Sequence, residues 1–415
     1  MDSQPAFPTR ALFQFLLSLL GLISAWLMAL VMLVMGGLSY VSGSALFHTT
    51  AEPLLAMGWV FGLLGGVAIP SLWTSGMRLF GREPEPVRLN LVSASLALLL
   101  VPLVIVMGAG ILQADGALRL FMPFLQIAVV VIPALWLVAY LTRPVQPVRA
   151  GRFWGAMNVG VFFSTPLILL VEGLLLVFIG LAVMAFLSTR PEMLQALEDL
   201  SSRLLNAGGD PEVILRIYRP ILRHPMVLFG TAAIFTVIVP LIEEALKPLA
   251  VWLLAGDRLT PVEGFWLGGV CGAGFALVES LFSVLGADAT SWIALAVGRI
   301  GTTTLHITTA ALMGGALAQA WHSRRYERLG WTYLLVVALH GLWNLLALTS
   351  GLARVLDPVQ PLKEVLALAD RLSPVALLVL ALALFWILAI ERTAVNRAAV
   401  SSALVPENSF ERKES

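Results

Sequence analysis

Ten stretches of this 415-residue chain run apolar for roughly twenty residues or more, at about 11–35, 54–76, 91–112, 119–141, 155–187, 226–255, 263–286, 291–319, 331–350 and 373–390. About 20 apolar residues in a helix cross the hydrocarbon core of a bilayer. In that solvent a segment has to satisfy every backbone N–H and C=O internally, and runs of this length do so only as helices. Hydrophobic residues make up 59% of the chain and charged ones 12%, so a water-soluble fold of this size would expose large apolar patches. The expected fold class is all-α: a polytopic helical membrane protein with about ten transmembrane helices. The run 11–35 is too long for a signal-peptide core of about 7–15 residues and is read as the first span.

Arginine placement gives an orientation, because short cytoplasmic connections are enriched in Lys and Arg. Arg78, Arg82 and Arg88 follow the second run; Arg143, Arg149 and Arg152 the fourth; Arg324, Arg325 and Arg328 the eighth; Arg392, Arg397, Arg412 and Lys413 the tenth. The expectation is an N-in/C-in, multi-pass protein of the cell (inner) membrane. The connection 188–225 departs from the pattern with five arginines and five acidic residues, and long loops obey the rule less strictly. Met193, Leu194, Leu197, Leu200 and Leu204 recur there at helical spacing. Asn206 to Gly209 interrupts them, and Asp210-Pro211 reads as an N-cap with proline at the first helical position, so an extracytoplasmic helical hairpin is expected. The single cysteine, Cys271, excludes an intrachain disulfide and a Cys-based zinc cluster. A net charge of +1 and the lack of a long basic run argue against nucleic acid. Lipid and protein are the expected partners.

The ionisable residues are unevenly shared. Spans one to five hold one deep charge, Glu172, to which no role is assigned; spans six to nine hold Glu243, Glu244, Lys247, Glu279, Arg299, His306 and His340. The chain is divided accordingly into a five-span N-terminal portion (1–187), the hairpin loop (188–225), a core carrying the chemistry (226–350), a loop with the final span (351–391) and a polar cytoplasmic tail (392–415). An ionisable group near the bilayer centre costs about 2.5–3.5 kcal/mol on insertion scales, so Glu243, Glu244 and Lys247, inside the run Met226–Gly256, require partners, water or an ion. In a continuous helix Glu243 and Lys247 lie one turn apart and can pair, while Glu244 points about 100° away.

Gly264, Gly268 and Gly272 recur every four residues and offer a flat face for close helix packing. Glu279 follows Phe275 by one turn. Arg299 and His306 share a face two turns apart, and His340 and Asn344 share one at i and i+4. Each feature alone is explained by hydrogen bonding between helices. Together, carboxylates on two helices and imidazoles on two more supply general-base, proton-shuttle and metal-ligand capacity. An apolar setting favours a neutral carboxyl and a nearby cation an ionised one, so adjacent glutamates can act as an acid/base pair.

The series Glu243-Glu244-x-x-Lys247, Phe275-x-x-x-Glu279, His306 and His340-x-x-x-Asn344 resembles the PrsW family of intramembrane proteases over about residues 226–350. It is distantly similar to the CAAX prenyl endopeptidase and bacteriocin-immunity superfamily. The resemblance implies an endopeptidase that uses glutamate-activated water to hydrolyse a peptide bond in or near the membrane-spanning part of a membrane-anchored protein. Carried over by that resemblance, Glu243 and Glu244 match the paired glutamates, one of them the general base, and His340 matches the essential histidine. Glu279 and His306 complete the cluster, Asn344 donates to the oxyanion, and Lys247 and Arg299 serve as ion-pair partners. If a metal is present, Glu244, Glu279, His306 and His340 form the implied ligand set, and zinc suits it. The HExxH of soluble metalloproteases is absent, and the related superfamily is also read as metal-free glutamate-type peptidases. Two other classes stay in view. One is a non-catalytic scaffold of the same fold, as a gamma-secretase subunit is thought to be, against which the intact paired glutamates count. The other is a proton- or ion-coupled transporter, against which the lack of an internal repeat counts.

Overall fold

The computed structural model describes residues 9–42, 45–114, 116–145, 147–206, 211–257, 259–356 and 362–404. It is 89% helical, with no strand among the described residues. Two compact units form, one from Met1–Pro166, Lys247–Tyr333 and Ala381–Ser415, the other from Leu167–Leu246 and Leu334–Leu380. Among the described residues, nine helical segments are long and apolar enough to cross a membrane. The expected eighth span is also a helix, Trp292–Ser323, but Arg299, His306 and five threonines between 302 and 309 leave it too polar to be counted with the nine.

In the first unit, Thr9–Val41 and Ala45–Leu79 pack as a hairpin. The centre of the unit is the helix Pro261–Leu285, the most buried of the candidate spans. Its start is fixed locally: Thr260 and Glu263 form a reciprocal capping box, with Pro261 at the first helical position. Its glycine face does what the four-residue spacing predicts. A methyl at Gly264, Gly268 or Gly272 would overlap the carbonyl oxygens of Gly314, Ala310 and His306 respectively, so Trp292–Ser323 lies backbone against backbone. On another side, a methyl at Gly274 would meet the carbonyl of Met157 in the helix Ala150–Val159. Buried Gln126 donates to the Val284 carbonyl at 2.9 Å, a second donor for a last-turn carbonyl that also accepts from the Ala287 amide at 3.2 Å. The wholly buried Trp292 donates its indole N–H to Ile105 at 2.8 Å and packs on Gly108.

Two expectations change. The run 226–255 is not one helix: it ends at Leu246, turns at Lys247-Pro248, and resumes as the short helix Leu249–Trp252. Pro248 has no N–H, and its ring would strike the carbonyl four residues back, so the helix cannot continue through it. The presumed tail is helical as far as it is described, because Leu362–Leu404 passes through 392–404 without a glycine or proline beyond Pro374. Arg392 fastens this stretch, donating to the Tyr140 carbonyl at 2.9 Å with its guanidinium 3.8 Å over the Tyr140 ring. Residues 405–415 lie outside the described residues. In the second unit, Pro191–Asn206 and Pro211–Leu222 are the two helices of the expected hairpin. The Asp210 cap and the break at 207–209 fall outside the described residues.

The start of Trp292–Ser323 is organised by Asp288, whose carboxylate accepts from the backbone and hydroxyls of Thr290 and Ser291 at 2.7–3.0 Å. The Ser291 and Thr290 hydroxyls and the Ser291 amide draw its carboxyl down from 3.8 to about 2. The folded value lies below the unfolded one, so this turn is stabilised above about pH 4 and loses that support as pH falls towards 2. Amide hydrogen exchange at Thr290 and Ser291 should accelerate across that window beyond the intrinsic pH effect, and an Asp288→Asn variant should show no such step. For the glycine seam, Gly268→Val should destabilise by about 1–3 kcal/mol through overpacking. Gly298→Ala, on the same pair but facing open space, should be neutral or stabilise by up to about 1 kcal/mol. Thermal melts of the purified protein compare the two.

Candidate active site

The expected site residues fall into two groups, one in each unit. In the second unit, Glu243 and Glu244 sit on the eight-residue helix Val239–Leu246, and His340 and Asn344 on Tyr326–Leu356. His340 lies against both glutamates. Its Nδ1 is 2.8 Å from Glu244 Oε1, and its Nε2 is 3.8 Å from Glu243 Oε2. Glu244 is fully buried, His340 is 2% exposed and Glu243 9%. With Glu244 as carboxylate, Nδ1 carries the donated proton and Nε2 presents its lone pair on the side of Glu243. The imidazole is thereby fixed in both orientation and tautomer, which a histidine needs whether it directs a water or ligates a metal.

What holds the glutamate helix in this position is a proline. Pro240 brings no N–H, and the turn before it, Ile234–Ile238, widens into a π-turn closed by Val239 N–H to Ile234 C=O. The carbonyl of Phe235 would look to residue 240 for its π-type donor and finds proline there. The Asn344 amide supplies that hydrogen bond instead, at 2.9 Å. One turn before Asn344, a methyl at Gly341 would overlap the Thr236 carbonyl, so the two helices meet at close range beside the π-turn. The same device occurs in the first unit, where the π-turn Gly160–Ser164 precedes Pro166 at the same offset. π-turns are uncommon and concentrate at functional sites. The His340-x-x-x-Asn344 spacing therefore divides its labour: the imidazole meets the carboxylates while the amide completes the backbone that carries them.

The first unit holds a linear chain of charge. Arg299 Nη1 donates to Glu279 Oε1 at 2.9 Å, Glu279 Oε2 is hydrogen-bonded to His306 Nε2, and His306 Nδ1 is 2.6 Å from the Lys247 ammonium. An ammonium donates, so Nδ1 accepts and the proton on Nε2 goes to Glu279. The shared face of Arg299 and His306 read from the sequence is thus the face that grips one carboxylate. Lys247 is wholly buried, its ammonium 5.0 Å above the Phe275 ring, and Phe275 meets the His306 ring edge-to-face at 4.9 Å. Lys247 is the first residue beyond the glutamate helix rather than part of it. Both nitrogens of His306 are engaged in this arrangement, so ligation would require it to release Lys247 or Glu279.

The roles of Phe235, Pro240 and Gly341 were missed in the sequence. The signal was there: a proline at the midpoint of the expected run 226–255 removes a backbone donor and leaves a carbonyl of the preceding turn in need of another. Asn344→Leu should destabilise by about 1–3 kcal/mol by orphaning the Phe235 carbonyl. Pro240→Ala restores a backbone donor, so the same Asn344 change in that background should cost clearly less, and equal costs in a double-mutant cycle of thermal stabilities would refute the account.

Residues 213–387 match the family model described as PrsW family intramembrane metalloprotease. The match reaches beyond the 226–350 read from the motifs on both sides, taking in part of the hairpin and most of the final span. No curated protein and no solved structure matches the chain. Over residues 213–387, the chain is similar to the PrsW family of intramembrane metalloproteases.

Proposed function

We propose that the chain is an intramembrane endopeptidase in which Glu243 activates the attacking water, with His340, held by Glu244, orienting it. The observation that carries this reading is the setting of His340: Nδ1 bound to the fully buried Glu244 at 2.8 Å, Nε2 facing the less buried Glu243 at 3.8 Å. That second gap is too long for a direct hydrogen bond and suits a bridging group. A water there gives one hydrogen bond to Nε2 and its proton to the Glu243 carboxylate as its oxygen attacks the scissile carbonyl carbon. The protonated Glu243 then returns that proton to the departing amide nitrogen, so the step balances without an external acid. The oxyanion is met by the second N–H of Asn344, whose first is committed to Phe235. The substrate is a membrane-anchored protein, and the chain is expected in the cell (inner) membrane.

The donor set is also compatible with a metal. Glu243 and His340 are among the residues whose ligand atoms could hold an ion, and a histidine whose other nitrogen is bound by a carboxylate is the usual form of a zinc ligand. In this unit Glu243 and His340 would be the ligands, one fewer than the three protein ligands of catalytic zinc sites. Zinc bound there would supply a water that ionises near neutral pH.

Co-expression with membrane-anchored candidate substrates tests the proposal. Glu243→Gln and His340→Ala should lower cleavage by about 10²–10⁴-fold with the protein still folded. Glu244→Gln, which keeps the size of the side chain and removes its charge, should reduce cleavage less than Glu243→Gln. Undiminished cleavage in Glu243→Gln would remove this site from the reaction. Metal analysis of the same preparations separates the two chemistries. Stoichiometric zinc lost together with activity in His340→Ala marks a metallopeptidase, and full activity in metal-free protein marks a glutamate-type enzyme.

A further inference from the structure

Where Thr9–Val41 and Ala150–Val159 begin and Ala45–Leu79 ends, the first unit contains a cavity of about 540 Å³. Three arginines line it, Arg10, Arg78 and Arg152, against one carboxylate, Asp257. Asp257 is shared between Arg10 and, at 3.6 Å, Arg152, which also donates to Glu263 at 2.6 Å. The Arg78 guanidinium has no hydrogen bond or ion pair among the described residues. Its side chain lies along Gly151, where a methyl would sit 3.1 Å from Nη1, and the helix starting at Ala150 has no side-chain cap. The cavity mouth thus combines an uncompensated guanidinium with the positive end of a helix.

Seven residues farther along that helix, about 10 Å deeper, Asn158 lines the same cavity. It is 1% exposed, and neither its amide nitrogen nor its oxygen has a partner among the described residues. A buried polar group left in that state is unfavourable, so the site calls for an occupant able both to donate and to accept there. Phe13, Leu17 and Leu254 give the rest of the wall an apolar character. A free phosphate would serve Arg78 and leave Asn158 unmatched; a hydrocarbon would serve neither.

We propose that this cavity binds an anionic amphiphile of the lysophospholipid class, with its phosphate at Arg78 and the helix start, its hydroxyl and ester region at Asn158, and its acyl chain along the apolar wall. This ligand site is separate from the carboxylate–histidine chemistry and stands whether or not that chemistry is hydrolytic.

Native mass spectrometry of the purified full-length protein in detergent tests it with three probes: lysophosphatidic acid, a monoacylglycerol of the same chain length, and inorganic phosphate. The wild type should retain lysophosphatidic acid at least about tenfold more strongly than either of the others. Arg78→Gln should weaken that binding about tenfold and leave the monoacylglycerol unchanged. Leu254→Trp, which fills the cavity without removing charge, should abolish binding of both lipids. Unaltered melting temperatures establish that the variants fold. Phosphate binding as tight as the lipid would mean an anion site only and overturn the proposal, as would equal lipid binding by the wild type and Arg78→Gln, or no binding at all.

Discussion

A charge taken into an apolar helix bundle has to be answered within a few ångströms, and that requirement shapes both units of this protein. In the first unit it is met by a file of four groups, Arg299, Glu279, His306 and Lys247, in which each carboxylate oxygen and each imidazole nitrogen has a named partner. The file exists because the helices carrying it touch. Glu279 reaches His306 from the end of the helix whose glycines let Trp292–Ser323 approach to backbone contact, and Gly272 itself abuts the His306 carbonyl. Close packing and charge neutralisation are therefore one arrangement, and neither would hold with larger residues along the seam. In the second unit one imidazole is hydrogen-bonded to Glu244 and stands 3.8 Å from the adjacent Glu243.

Much of this was legible in the sequence, for identifiable reasons. Hydropathy reads length well, so the long apolar runs reappear as helices. Four-residue glycine spacing reads as a packing face because side chains at i and i+4 stack on one side of a helix. The same periodicity places His340 with Asn344 and Arg299 with His306. What periodicity does not carry is the identity of a partner on a distant helix. Lys247 is adjacent in sequence to the glutamate helix, and nothing in its spacing names His306, fifty-nine positions on, as a neighbour of its ammonium. Hydropathy also passes over single residues that decide backbone geometry. Pro248 is apolar and did not interrupt the run 226–255, although it ends the helix. Conversely, the polar middle of Trp292–Ser323 reads poorly on a hydropathy scale while Thr302, Thr303 and Thr304 bond back to carbonyls of their own helix and are buried. Asn158, a lone amide in an apolar run, was passed over because it bears no charge.

The helix bearing the paired glutamates is short because its surroundings make it so. It occupies eight residues, begins where Pro240 has forced a π-turn and ends before Pro248. Its stability consequently depends less on its own hydrogen-bond ladder than on what neighbours lend it, foremost the Asn344 amide.

The π-turn at Ile234–Ile238 has a consequence for how this motif tolerates change in length. A π-turn holds one residue more than the α-turn it replaces, and one residue in an α-helix corresponds to a rotation of about 100°. The azimuth of Glu243 and Glu244 around their helix axis is therefore recorded upstream, in the count of residues between Ala233 and Val239, and not in the glutamate motif itself. Excising a single residue there would leave every side chain of Glu243-Glu244-Ala245-Leu246-Lys247 intact while turning the carboxylates about a quarter of a revolution relative to the helix that precedes them. A chain could thus retain the whole motif as a string of letters and lose its aim.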